Sequence, residues 1–126
     1  MRTQHCIGHM LGLARTTPSP HASWILMAGD AAHHPAMLRP APYLPLPGKE
    51  GSVHHDHERA ARTHEVVRAL DARDDVWVVL SHDGSVDVGD SGVRWMPEEA
   101  NAWRAEGVKE RTRWRWLEKG NPAYRW

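Results

Sequence analysis

The sequence predicts an α+β fold in which helices pack on a sheet, and three stretches carry that expectation. Trp24-Ile25-Leu26-Met27-Ala28 is an apolar run inside residues 23–29 that reads as a buried strand. Val76-Trp77-Val78-Val79-Leu80 is continuously β-branched, aromatic or aliphatic, the pattern of a strand covered on both faces. Between them, residues 56–70 carry a helical period, with Ala60, Thr63, Val67 and Leu70 on one face and Glu58, Arg62 and Glu65 elsewhere.

The remaining elements follow in order. Residues 9–16 read as a first strand, separated from the second by the turn signal Thr17-Pro18-Ser19-Pro20. Residues 30–51 hold Pro35, Pro40, Pro42, Pro45 and Pro47, which block a long helix or a central strand and predict an ordered loop. After the strand at 76–80, a glycine- and aspartate-rich turn spans residues 84–92. Pro97-Glu98-Glu99 then marks a helix start, with proline at a first helical position and acids in the first turn. A further helix is expected over residues 108–119, stopped by Gly120. There is no internal repeat and no low-complexity tract.

With 126 residues and 40% hydrophobic composition, the chain is one domain or part of one, with a modest core. Sixteen basic residues balance sixteen acidic ones, so net charge draws the molecule neither to nucleic acid nor to anionic lipid. The longest apolar runs fall far short of the roughly 18–20 residues of a membrane-spanning helix, so a soluble chain with no membrane partner is expected. The single cysteine, Cys6, builds no disulfide framework and fits a reducing compartment, which favours the cytoplasm. Ten histidines and seven tryptophans stand beside no phenylalanine, so position must decide whether the histidines mean metal.

Three places offer ligands. His5-Cys6-Ile7-Gly8-His9 puts two imidazoles four residues apart at the start of the first strand, although Gly8 and the β pattern oppose a helical metal pair. Gly29-Asp30 ends the second strand and puts a carboxylate where the chain leaves the core; the plainer reading of Asp30 is a turn residue. His33 and His34 follow as substrate-facing or supporting groups or, on the favoured reading, as surface histidines. Ser81-His82-Asp83 ends the third strand with an imidazole and a carboxylate, a pairing more often functional than decorative. The compact cluster His54-His55-Asp56-His57 opens a helix, and Asp56 there has an ordinary explanation as a first-turn acid. In the C-terminal tail, Arg113-Trp114-Arg115-Trp116 has the interleaving that stacks on nucleic-acid bases. Helical period favours instead a tail with Trp103, Trp114 and Leu117 packed inward and the arginines solvated.

Taken in order, His5-x-x-Gly8-His9, Gly29-Asp30 and Ser81-His82-Asp83 resemble the last three ligand-bearing segments of the metallo-β-lactamase superfamily. The first family segment commonly reads Gly-His-Thr-Pro-Gly-His; here Gln4 stands at its first glycine, and Cys6-Ile7 replace Thr-Pro. The runs from Gly8 to Thr17 and from Arg39 to Pro47 are similar to a fungal subgroup of that superfamily. The His-x-His-x-Asp-His motif that the family carries upstream is absent from these residues.

The resemblance implies the C-terminal half of a metallo-β-lactamase-like αββα sandwich over residues 1–126, with a helical C-terminal segment at about 97–126. It implies two divalent cations, commonly zinc, with His5 serving the first, His82 the second and Asp30 bridging. Zinc lowers the pKa of bound water toward neutrality and polarises a carbonyl, which suits hydrolysis of a small ester, lactone or thioester. Three ligands over two sites leave each ion short of the three or four that a zinc site uses. The expectation is therefore a truncated hydrolase, inactive by itself and open to self-association along an exposed sheet edge. The rival readings are a noncatalytic remnant or partner-dependent half and, behind these, a nucleic-acid-binding module. Replacing His54, His55 and His57 together with alanine should leave zinc affinity nearly unchanged in a calorimetric titration; a large loss would show that the ligands are these histidines.

Overall fold

The structure is a computed structural model that describes residues 11–16, 21–39, 56–86, 100–118 and 120. Three strands form one sheet in the order β1 (Gly12–Arg15), β2 (Trp24–Gly29), β3 (Val76–Leu80). Strand β1 runs antiparallel to β2, with Leu13 opposite Leu26, and β2 runs parallel to β3, with Leu26 opposite Val78. Two parallel neighbours need a long crossover, and the helix α1 (His57–Asp71) lies within it. The α+β class expected from the sequence is the one observed. Within the described part of residues 9–16 the first strand is shorter than predicted, being paired only over Gly12–Arg15.

Helix α1 begins where Asp56, extended at φ −115° and ψ 95°, accepts a hydrogen bond from the Arg59 amide. That is an N-cap, satisfying a backbone donor the first turn leaves over. Ala60 and Val67 are buried along one face and Leu70 packs partly under the sheet, as the period predicted. Strand β3 is buried at all five positions because both faces of the sheet are covered. Val76, Val78 and Leu80 join Leu26, Ala28 and Val67 in the layer beneath α1. Trp77 and Val79 point the other way, onto Val86, Trp103 and Val108. The Trp103 indole N–H also reaches the Thr16 hydroxyl at 3.0 Å, tying this second layer to the end of β1.

The C-terminal segment departs from the single helix predicted over 108–119. An α-helical stretch, α2 (Val108–Thr112), is followed by a 3₁₀ turn at Arg115–Leu117. In a continuous helix the Leu117 amide would bond to the Arg113 carbonyl. Here that carbonyl accepts from the Arg39 guanidinium at 3.1 Å, and Leu117 bonds instead to Trp114. The inward residues differ accordingly. Trp103 and Trp116 are buried, whereas Trp114 and Leu117, expected inside, are exposed. No helix among the described residues is long and apolar enough to cross a membrane.

Two buried cations join the layers. The Lys109 ammonium donates to the carbonyls of Asp71, Arg73 and Val76, collecting the end of α1 and the start of β3 on one charge. Arg39 holds Asp71 through both carboxylate oxygens, at 2.9 and 3.0 Å, and Arg113 adds a contact at 3.0 Å. Replacing one member of such a buried pair strands the other charge without water. Asp71→Ala should therefore cost about 3–5 kcal/mol in a urea unfolding curve; a loss under about 1 kcal/mol, the size of a solvated surface pair, would contradict this account.

Candidate metal centre

Parallel pairing of β2 and β3 brings their C-terminal ends to one edge of the sheet, and two of the three residues expected as ligands sit just past those ends. Gly29 ends β2 at φ +52°, a left-handed conformation that disfavours any residue with a side chain. A register irregularity between Met27 and Gly29 accompanies it, so that Gly29 pairs with Leu80. The Ser81 amide donates to the Gly29 carbonyl at 3.0 Å and holds the two exits side by side. Asp30 follows one exit and His82 the other, with His82 Nε2 lying 3.2 Å from Asp30 Oδ1. Asp30 is half-buried and His82 more than half exposed, so the pair opens to solvent.

His33 completes the group. Its ring stacks on that of His82 at 5.4 Å between centroids and 17° between planes. Asp30, His33 and His82 each offer one ligand atom, all within 4.8 Å of one another. His33 was expected at the surface with His34; instead it is half-buried beside the two other groups. His34 is buried as well, for a structural reason: its Nδ1 accepts the Ala36 amide at 3.1 Å and caps the 3₁₀ turn Pro35–Met37, while its ring meets Trp116 edge-on. The sequence signal for His33 was its place three residues after a strand-ending aspartate. Nothing local distinguished it from His34, because only the capped turn at Pro35 aims one imidazole outward to the edge and the other into the core. His5, the third expected ligand, lies outside the described residues, as do His9, His54 and His55.

The loop that carries Asp30 and His33 is gripped from α1. His64 and Arg68 stand one turn apart on the same helix face. His64 Nε2 lies 2.8 Å from the Ala31 carbonyl, and Arg68 donates to the carbonyls of Met37 and Leu38 at 3.0 and 3.1 Å. A carbonyl only accepts, so the His64 proton is on Nε2. Beyond His82, Asp83 turns inward. Its Oδ1 accepts the Ser85 amide at 3.0 Å and its Oδ2 accepts Arg39 at 3.3 Å. The pairing of His82 with Asp83 in the sequence therefore divides into a solvent-facing imidazole and a buried carboxylate.

The donor set fits a small divalent cation. Two imidazoles and a carboxylate are the ligands zinc takes, and three protein ligands with an open position is the pattern of a catalytic site rather than a closed structural one. An ion bonded tetrahedrally at about 2.0–2.1 Å sets its ligand atoms roughly 3.3 Å apart. The separation of His82 and Asp30 has that size, and the ligand atoms of all three residues lie within 4.8 Å of one another.

Comparison with known proteins finds several relatives with different names. The chain is 38% identical over 126 residues to a cytochrome P450 monooxygenase of Penicillium brevicompactum, covering 87% of this chain and 14% of that one. It is 29% identical to a metallo-hydrolase of Annulohypoxylon moriforme, over 94% of this chain and 39% of the relative. It is 32% identical to a gamma-lactamase of Fusarium pseudograminearum, over 87% of this chain and 34% of the relative. The chain thus spans well under half the length of each of these relatives. No family model and no solved structure matches.

Burial pushes the His64 imidazole below its ordinary pKa of 6.5, the Ala31 hydrogen bond opposing that shift and the Arg68 charge adding to it. Between the depressed folded-state value and 6.5, the unfolded chain binds more protons than the folded one. The His64 contribution to stability is thus complete above that range and is lost as pH falls through it. The melting temperature should drop on acidification from about pH 7.5 to about pH 5, and His64→Gln, which keeps a donor for Ala31, should flatten that drop. An unchanged slope in the variant would rule His64 out as its source.

Proposed function

We propose that this chain, which is similar to proteins named metallo-hydrolase and gamma-lactamase, belongs to the metallo-β-lactamase superfamily and contributes the Asp30–His33–His82 edge of a zinc-dependent hydrolytic site. The observation that supports this reading above all others is the convergence of one carboxylate and two imidazoles where parallel strands end, a place at which α/β sheets collect functional groups. The monooxygenase name gives those three side chains no role, whereas the metallo-hydrolase name gives them one.

In this reading Asp30, His33 and His82 hold the cation, and His5 extends the set toward the second ion that the superfamily resemblance implies. A zinc ion held by these residues would supply a nucleophilic water near neutral pH and polarise a carbonyl oxygen. The chain's own residues fix the geometry. The stack of His33 on His82 restrains the imidazole planes, the half-buried Asp30 limits water on one side, and the exposed His82 leaves the other side open to a small substrate. Substrates of the ester, lactone or thioester class fit this arrangement. A cyclic amide, the bond in the gamma-lactamase name, joins them because it too reacts through attack on a carbonyl carbon.

The αββα sandwich belongs to the same proposal. The sheet covered on both faces and the β2–α1–β3 crossover are consistent with one half of it. Three donors satisfy one catalytic ion, so a two-ion site needs ligands beyond Asp30, His33 and His82.

Titration calorimetry should record zinc uptake by the wild-type chain that Asp30→Ala removes. Uptake undiminished in Asp30→Ala would overturn the assignment. On γ-lactam, lactone and thioester panels, zinc-dependent turnover that survives the same substitution would sink the hydrolytic reading.

A further inference from the structure

We propose that Asp83, held by Arg39, is a positioning residue that sets the spacing between the two loops bearing the candidate ligands; the inference rests on the metal-centre reading above. Asp83 is next to His82 in the chain, yet the two side chains part company. His82 is 55% exposed at its side chain, and Asp83 only 2%. The Asp83 carboxylate organises the turn from within. Its Oδ1 accepts the Ser85 amide, its own amide donates to the Leu80 carbonyl at 3.3 Å, and its carbonyl accepts the Val86 amide at 3.2 Å. The direction in which His82 leaves the sheet is therefore tied to the placement of Asp83.

The other carboxylate oxygen crosses to the opposite loop. Asp83 Oδ2 meets Arg39 Nη1, and Arg39 belongs to the loop after β2 that carries Asp30 and His33, its amide donating to the Pro35 carbonyl at 2.7 Å. The Arg39–Asp83 bridge thus links one ligand loop to the other through buried charge. Arg39 also keeps a separate bidentate anchor on Asp71. Loss of the Asp83 charge should consequently leave Arg39 in place and loosen only the arm that reaches the His82 turn. Groups that orient metal ligands typically change metal affinity by about 10–100-fold when removed. A purely structural carboxylate would instead lower stability and leave affinity alone.

Asp83→Asn is the informative change, because it preserves shape while replacing one oxygen by an N–H donor. Whichever way the amide turns, either Arg39 or the Ser85 amide loses its acceptor. Val67→Ala, in the core beneath α1, supplies a control whose loss of melting temperature comes from a cavity remote from the carboxylate. Two readouts are needed: zinc affinity by calorimetry, and the metal-free NMR signals of the His33 and His82 rings, which their stacking displaces. Asp83→Asn should weaken zinc binding about tenfold or more and move both ring signals toward unfolded-chain values, while Val67→Ala changes neither. Equal effects of the two variants, or no effect of Asp83→Asn on the ring signals, would overturn the proposal. If the wild-type chain takes up no zinc, the metal reading fails, and the ring signals alone decide whether Asp83 sets the loop spacing.

Discussion

Arg39 is 4% exposed, and each of its five N–H donors meets an acceptor from a different part of the fold or a different oxygen of one carboxylate. Asp71 at the end of α1 takes two, the Val78 carbonyl of β3 takes one, Asp83 beyond β3 takes one, and the Arg113 carbonyl beyond α2 takes the last. A planar fork with fixed donor directions accommodates this arrangement, and the point charge of a lysine would not. Desolvating such a charge costs free energy, which only a complete partner set offsets. The positions of the loop after β2, the end of α1, the turn after β3 and the C-terminal segment are thereby coupled: moving one leaves a buried donor unmet.

The same coupling explains the shape of the candidate metal centre. Asp30 and His82 approach each other directly, and the His82 ring stacks on that of His33. Their loops are fixed from behind. His64 and Arg68 hold three carbonyls of the loop after β2, and Asp83 holds the turn after β3. Solvent-facing side chains on buried supports suit a candidate open site, since groups that would meet a substrate must be accessible while their directions stay fixed.

Much of this was legible in the residues. The unbroken apolar run at Val76–Leu80 announced a strand covered on both sides, and the period ending at Leu70 announced α1 with Ala60 and Val67 inward. Both signals are local, being written in alternation and helical spacing, and neighbouring residues suffice to read them. Asp30 and His82 could be singled out because each follows an apolar strand, and because Gly29-Asp30 and Ser81-His82-Asp83 match ligand-bearing segments of the superfamily they resemble. The chemical character of the site, a carboxylate and imidazoles suited to a divalent cation, is likewise a property of residue types.

Tertiary structure decided the rest, because it depends on pairs far apart in the chain. Whether β2 and β3 ran parallel determined whether Asp30 and His82 met at all, and only the sheet fixed that direction. The split between His33 at the centre and His34 in the core follows from a 3₁₀ cap and a tryptophan from residue 116. The break after α2 follows from an arginine 74 residues earlier taking a carbonyl that the helix needed. Arg39 itself carries no local signal in a proline-rich loop. The sequence by itself determined which side chains are capable of the chemistry and which elements carry them; long-range hydrogen bonding and buried charge, invisible to periodicity, determined which of those side chains converge.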